Sequence, residues 1–161
     1  MPVRAAAEPD LDQMTTIWHD GWHEAHAHLL PAELTRLRTR ESFRERLQAG
    51  LPQVRVVGPV AMPLGLCMTK GSELYQLFVA ASARGAGVAA TLLADGEQRL
   101  AEGGIDVAWL ACAIGNERAA KFYEKSGWGR TGTMINAVET SHGPFPVEVW
   151  RYEKRVTPPS R

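Results

Sequence analysis

Apolar residues recur along the chain with two periods, and the switches between them set out the elements. Leu11, Met14, Trp18, Trp22 and Ala25 stand three or four residues apart. That is the spacing of one helix face, and it predicts a helix running to His26. Asp10-Leu11-Asp12-Gln13 has the form of a capping box, with Asp10 as N-cap and Gln13 three residues on. Gly21 predicts a bend or a weak point within it. Residues 3–6 precede it as a short strand. Pro31 breaks the chain, and residues 41–48 form a second helix that ends at Gly50. Residues 54–57, 64–69 and 73–79 then read as three strands separated by Gly58-Pro59 and Lys70-Gly71, an antiparallel meander. Helical spacing returns over residues 87–101, with Leu92, Leu93, Gly96 and Leu100 on one side and Gly103-Gly104 as the stop. Residues 107–113 are an almost unbroken apolar run, as in a strand covered on both faces. A helix over 116–125 has Asn116 as its cap and Gly127 beyond its end. Strands over 128–137 and 147–152 close the pattern, joined by a loop containing Gly143-Pro144-Phe145-Pro146. The sum is a mixed α/β domain.

Composition narrows what such a domain can do. At 161 residues the chain makes one domain, large enough to bury a core without metal or disulfide staples. We read residues 1–155 as that domain and 156–161, with Pro158-Pro159, as a disordered tail. Lys plus Arg and Asp plus Glu are both 18, so the net charge is zero, which disfavours a protein that grips nucleic-acid phosphates. No apolar run is long enough for a membrane helix, and Met1-Pro2-Val3-Arg4 lacks a signal-peptide core. A cytoplasmic location and no membrane partner are therefore expected. Cys67 and Cys112 are far apart within apolar stretches and read as small buried hydrophobes.

The most informative stretch is Leu77-Phe78-Val79-Ala80-Ala81-Ser82-Ala83-Arg84-Gly85-Ala86-Gly87-Val88-Ala89. A strand ends near Val79, a loop of small residues follows, and a helix starts near Gly87. Free amides at a helix start favour an anion, and glycines let the backbone approach it. Arg84 adds a fixed positive charge suited to phosphate. The expected chemistry is pyrophosphate binding. Residues 85–90 also fit the dinucleotide fingerprint G-x-G-x-x-A, but three features oppose that reading. Val79 is too far from Gly85, the motif follows a meander rather than opening a βαβ unit, and Asp106 precedes a strand instead of ending one.

Two motifs carry a family resemblance. Arg84-Gly85-Ala86-Gly87-Val88-Ala89 is similar to the Q/R-x-x-G-x-G/A signature of the GNAT N-acetyltransferases. Residues 116–128, from Asn116 through Phe122-Tyr123 to Gly127-Trp128, resemble that family's second motif, N-x-x-A-x-x-F-Y-x-x-x-G-F/W. The likeness covers residues 3–154. It implies a single-domain acyl-CoA N-acyltransferase fold, a mixed seven-stranded sheet flanked by about four helices. It also implies acetyl-CoA as donor, an amine on a small molecule or a protein as acceptor, no metal, and a chain that could pair as a homodimer. By analogy the pyrophosphate rests on amides of Gly85, Ala86, Gly87, Val88, Ala89 and Ala90, and the pantetheine runs along Leu77, Phe78 and Val79 in the gap between two splayed strands.

The residues supply chemistry for such a transfer. Amine attack on a thioester builds charge on the carbonyl oxygen, which a backbone N–H near Val79 can stabilise. Asn116 and Tyr123 are seven apart and share a helix face, so one can hold the pantetheine while Tyr123 protonates the leaving thiolate. Glu73 lies eleven residues before Arg84, the offset at which histone-acetylating members carry their base, and it is the candidate general base. Ala111 stands where members acting on protein N-termini often carry a glutamate, which weakens that acceptor class. Cys112 as an acyl-carrying nucleophile lacks an evident activating base, so direct transfer is preferred.

His19, His23 and His26 share a helix face with Trp18 and Trp22 interleaved. The spacing is not that of a metalloprotease. In the family this helix lines the acceptor pocket, so Trp22, His23 and His26 are candidate substrate contacts; the alternative is buried tryptophans beside exposed histidines. His142 and Phe145 are further candidates for that pocket. Arg36, Arg38, Arg40, Arg44 and Arg46, interleaved with Glu33, Glu41 and Glu45, read as a solvated, salt-bridged helix face. Two other functions stay open at this stage, a non-catalytic acyl-CoA-binding module and a dinucleotide-binding protein.

Overall fold

The computed structural model describes residues 1–157. Its elements in chain order are β1 (Val3–Ala5), α1 (Leu11–His26), α2 (Ala32–Leu37), α3 (Arg40–Ala49), β2 (Val54–Val57), β3 (Gly65–Lys70), β4 (Glu73–Val79), α4 (Val88–Glu102), β5 (Val107–Ala113), α5 (Glu117–Lys125), β6 (Gly129–Val138) and β7 (Phe145–Arg155). All seven strands form one sheet in the order β1-β2-β3-β4-β5-β7-β6. Three layers result. On one face Met14, Trp18 and Trp22 of α1 and Phe43 and Leu47 of α3 pack against Val54, Val56, Leu66 and Met68. On the other, Val88, Leu92, Leu93 and Leu100 of α4 and Ala120 of α5 cover Cys67, Leu74, Leu110 and Tyr152.

The centre of the sheet is where the regular pattern fails. Strands β1 to β4 are an antiparallel meander, and β5, β7 and β6 are a second antiparallel set. The two sets meet only where β4 runs parallel to β5, at the single register position Glu73–Trp109. The Trp109 N–H donates to the Ser72 carbonyl there, at 3.2 Å. Beyond that point β4 and β5 diverge. The cause lies on the other edge of β4: Leu74 pairs with Thr69 but Gln76 with Met68, so Tyr75 is an extra residue. A bulge bends its strand and disturbs the ladder. It also resets the alternation, so Tyr75 and Phe78 pack towards α1 while Leu74, Leu77 and Val79 pack towards α4.

Three expectations need correction. Asp10 does not cap α1 through its side chain. It closes a preceding 3-10 turn, and its carboxylate accepts from the Ala7 and Ala61 amides, each at 2.9 Å, and from both ends of the Arg4 fork at 2.8 and 2.9 Å. Pro31 is the N-cap of α2 instead of only breaking the chain, its carbonyl accepting from the Thr35 amide at 3.1 Å. Gly21 leaves α1 unbroken, and its reason is close approach: a Cβ there would stand 2.6 Å from Cδ1 of Phe78 on β4. Of the expected tail, the Val156 N–H donates to the Asp106 carbonyl at 2.8 Å and the Thr157 hydroxyl to the Asp106 carboxylate at 2.7 Å. Residues 158–161 lie outside the described residues.

Candidate active site

A cleft of 480 Å³ fills the divergence between β4 and β5 and runs out to the start of α4. Its mouth is the glycine-rich turn. Gly85 and Gly87 have φ of +82° and +80°, a left-handed backbone that L side chains avoid, and a Cβ on either would meet no protein atom. The turn leaves N–H groups without backbone acceptors. Among the described residues the amides of Gly85, Gly87, Val88, Ala89 and Ala90 have no backbone acceptor, while those of Ala86 and Thr91 donate to Ala83 and Gly87 carbonyls. Of the expected cradle, Ala86 is the residue whose amide is paired within the turn and that does not line the cleft. The remaining donors sit at the positive end of a 15-residue helix, a ready site for a phosphate group. Arg84 lines the cleft beside these donors, and its guanidinium is ion-paired. Both of its ends pair with Glu24 of α1, at 2.6 and 2.8 Å.

Along the wall, β4 offers backbone. The Ala80 N–H donates to the Leu64 carbonyl of the β3 side. Strand groups alternate, so Phe78 and Gln76 also turn their amides to β3 and Leu77 and Val79 turn theirs to the gap. Phe78 contributes its ring, seated on Gly21, rather than its backbone.

The opposite wall is α5. Asn116 and Tyr123 both reach the cleft, as their spacing predicts. The Asn116 Oδ1 also caps α5, accepting from the Ala119 amide at 3.3 Å. Tyr123 is held by its own carbonyl, which accepts from the Trp128 amide at 3.0 Å. Burial drives its phenol well above the ordinary tyrosine range, so the hydroxyl stays protonated and can donate. Cys112 lies in the same wall, and burial pushes its thiol up to about 11. A thiol held there is a poor nucleophile at neutral pH.

A second, smaller cavity of 110 Å³ opens off the cleft and shares His26, Tyr75, Gln76, Ala111 and Ala113 with it. Glu73 lines this cavity at 9% exposure, and burial raises its carboxyl to about 7. Trp22 and His26 also line it. Burial lowers His26 to about 4, so its imidazole is neutral at neutral pH. His23 does not join them. Its Nε2 lies 2.7 Å from the Arg38 carbonyl and ties α1 to the α2–α3 junction, outside both cavities.

Two lining residues depart from the sequence reading. Arg38 and Arg46 are part of this cavity, not of a solvated helix face. A signal existed for Arg46, which follows Phe43 by three residues and precedes Leu47, both fully buried. Arg38 sits in a break between helices, where periodicity says nothing. Among the described residues no group of three or more His, Cys, Asp or Glu could hold a metal ion, and no helix is long and apolar enough to cross a membrane.

Comparison with known proteins agrees with this architecture. The chain belongs to the acetyltransferase (GNAT) family, whose model matches residues 11–128. Solved structures share the fold at low identity. A GCN5-related N-acetyltransferase from Rhodopseudomonas palustris is 18% identical, with a TM-score of 0.74 over 96% of this chain and 94% of its own. An N-acetyltransferase from Staphylococcus aureus is 20% identical, with a TM-score of 0.72 over 97% and 98%. The yncA protein of Salmonella typhimurium, solved with its cofactor acetyl-CoA, is 16% identical, with a TM-score of 0.67 over 100% and 96%. No curated protein matches the sequence significantly.

Proposed function

We propose that the protein transfers an acetyl group from acetyl-CoA directly to a primary amine. The observation that carries this reading is the cleft itself. Unpaired amides of Gly85 and of residues 87–90 stand at one end, unpaired β4 backbone runs along one side, and Tyr123 lines it from the other. The amides suit the pyrophosphate, and the Leu77 and Val79 backbone suits the pantetheine amides as an added strand would. The acetyl-CoA bound to the Salmonella protein supports the same donor here.

In this reading the acceptor enters from the smaller cavity. Its nitrogen attacks the thioester carbonyl carbon, and a gap-facing β4 amide receives the developing oxyanion. As the C–S bond breaks, the Tyr123 hydroxyl gives its proton to the departing sulfur. Glu73 takes the proton that the amine loses. A carboxyl raised to about 7 is matched to that task at neutral pH, because it is substantially ionised and still basic. Much of the acceleration comes from holding amine and thioester together.

Calorimetric titration with acetyl-CoA, with NAD as control, tests the donor. Micromolar acetyl-CoA binding with no NAD response is expected. Failure to bind acetyl-CoA would end the proposal. Binding without thiol release against any amine would instead leave a non-catalytic acyl-CoA module.

A further inference from the structure

The smaller cavity holds two arginines that the transfer chemistry does not use. Arg38 is 3% exposed. Its Nη1 donates to the Glu139 carbonyl at 2.6 Å, its Nε is buried without a partner, and its Nη2 makes no hydrogen bond among the described residues. Arg46 donates from Nη2 to the Tyr75 hydroxyl at 2.7 Å, lies 4.3 Å from the Trp18 ring centre, and also has a buried, unpartnered Nε. Neither has a carboxylate within 4.0 Å among the described residues. Arginines elsewhere are treated differently: Arg4 pairs with Asp10, Arg55 with Asp95, Arg84 with Glu24 and Arg151 with Glu153.

A guanidinium taken out of water without a counter-ion is costly. Burial lowers Arg38 only to about 10, so it keeps its charge at neutral pH. Two such cations side by side repel, and both gain if an anion sits between them. The cavity also contains Glu73 and adjoins the cleft at Gln76 and Ala111, so an anion held here would place an attached amine near the reacting thioester.

We infer that the acceptor is a small amine bearing a carboxylate, an amino acid or close analogue, whose carboxylate is received by Arg38 and Arg46 while its amine points towards Glu73 and the cleft. This rests on the acetyl-transfer reading and narrows its acceptor. The planar guanidinium matches a carboxylate in shape as well as charge. The same two cations oppose polyamines and other multiply positive acceptors.

The test is a thiol-release assay on purified protein with acetyl-CoA. It uses the common amino acids and a set of ω-amino acids, each beside its carboxamide. An amide keeps the amine and side chain, removes the negative charge, and makes the amine easier to deprotonate, so chemical bias runs against the proposal. The best acid should exceed its amide in kcat/KM by roughly 10- to 100-fold, mostly through KM. In folded Arg38→Met protein that ratio should collapse towards one, and Arg38→Lys should restore part of it. Amides used as well as acids, or no acid used by protein that binds acetyl-CoA, would overturn the acceptor assignment and leave the donor assignment standing. Protein that fails to bind acetyl-CoA at all would overturn both. The acid-to-amide comparison in the wild type decides the matter even if the arginine variants do not fold.

Discussion

Replacing Glu73 by glutamine should make the protein more stable at alkaline pH while making it a worse catalyst. The carboxyl is buried at the register position that pairs β4 with β5, and burial raises it from an ordinary 4.5 to about 7, against partial relief from Lys70 and Arg151. Below pH 4.5 the group is neutral in both folded and unfolded chains. Between 4.5 and about 7 the unfolded chain loses the proton first, so stability falls as pH rises; above 7 both states are ionised and the loss is complete. At about 1.36 kcal/mol for each tenfold change in acidity, the full penalty is about 3 kcal/mol. Glutamine never ionises, so the variant should not show it. Urea denaturation of both proteins at about pH 4.5 and about pH 8 measures the difference. The wild type should lose about 3 kcal/mol relative to Glu73→Gln across that interval. Parallel pH–stability curves would refute the claim that this carboxyl is desolvated. In the same pair of proteins, wild-type kcat/KM should rise through about pH 7, and the variant should lack that limb and fall about 100- to 10,000-fold.

Tyr123→Phe should lower kcat by about 10- to 1000-fold with acetyl-CoA affinity retained in calorimetry; an equal loss of affinity would assign the hydroxyl to binding and not to proton transfer. Gly21→Ala forces a methyl to within 2.6 Å of the Phe78 ring. The ring must shift towards the cleft, at a cost of about 1–3 kcal/mol in urea denaturation and with weaker acetyl-CoA binding. An unchanged midpoint would mean that the helix can slide to make room. Asp10→Ala strips the acceptor from the Arg4 fork and from the Ala7 and Ala61 amides and should cost about 3–5 kcal/mol at neutral pH. The Arg4 guanidinium holds the Asp10 carboxyl down at about 2. Its contribution is therefore present in full above pH 3.8 and lost as pH falls towards 2, an acid transition that the alanine variant should not show.

The sequence yielded much of the fold because its strongest signals are local. Helix α1, the strands β2, β4 and β5, and the cap at Asn116 all follow from periodicity and end residues, and their limits match the pattern. The misreadings share a cause. Asp10 has the right residue type for a cap, but its carboxylate is captured by Arg4, which lies across the turn and next to β2 in the sheet. Strand β7 runs to Arg155, past the expected end, because residues 153–155 are all charged and none is buried, which leaves no apolar pattern to read. The site was legible where a motif encodes backbone geometry, at Gly85 and Gly87, and where helical spacing sets a face, at Asn116 and Tyr123. Arg38 was misjudged because the fate of a charge depends on partners distant in sequence: among the described residues no carboxylate lies within 4.0 Å of it, and its surroundings come from β4, β6 and β7.

The single register contact between β4 and β5 also bears on how the molecule holds together. A seven-stranded sheet normally distributes its cooperativity across every ladder, yet here the two halves share one rung and the cores beside it. A donor lying in the gap, hydrogen-bonded to Leu77 and Val79, would act as the missing rungs. Its binding free energy would then appear as folding free energy, growing with the logarithm of its concentration. On that account the thioester carrier is a part of the architecture as well as a reactant, and the level of acyl-CoA in the surroundings would set how firmly the two halves of the sheet are joined.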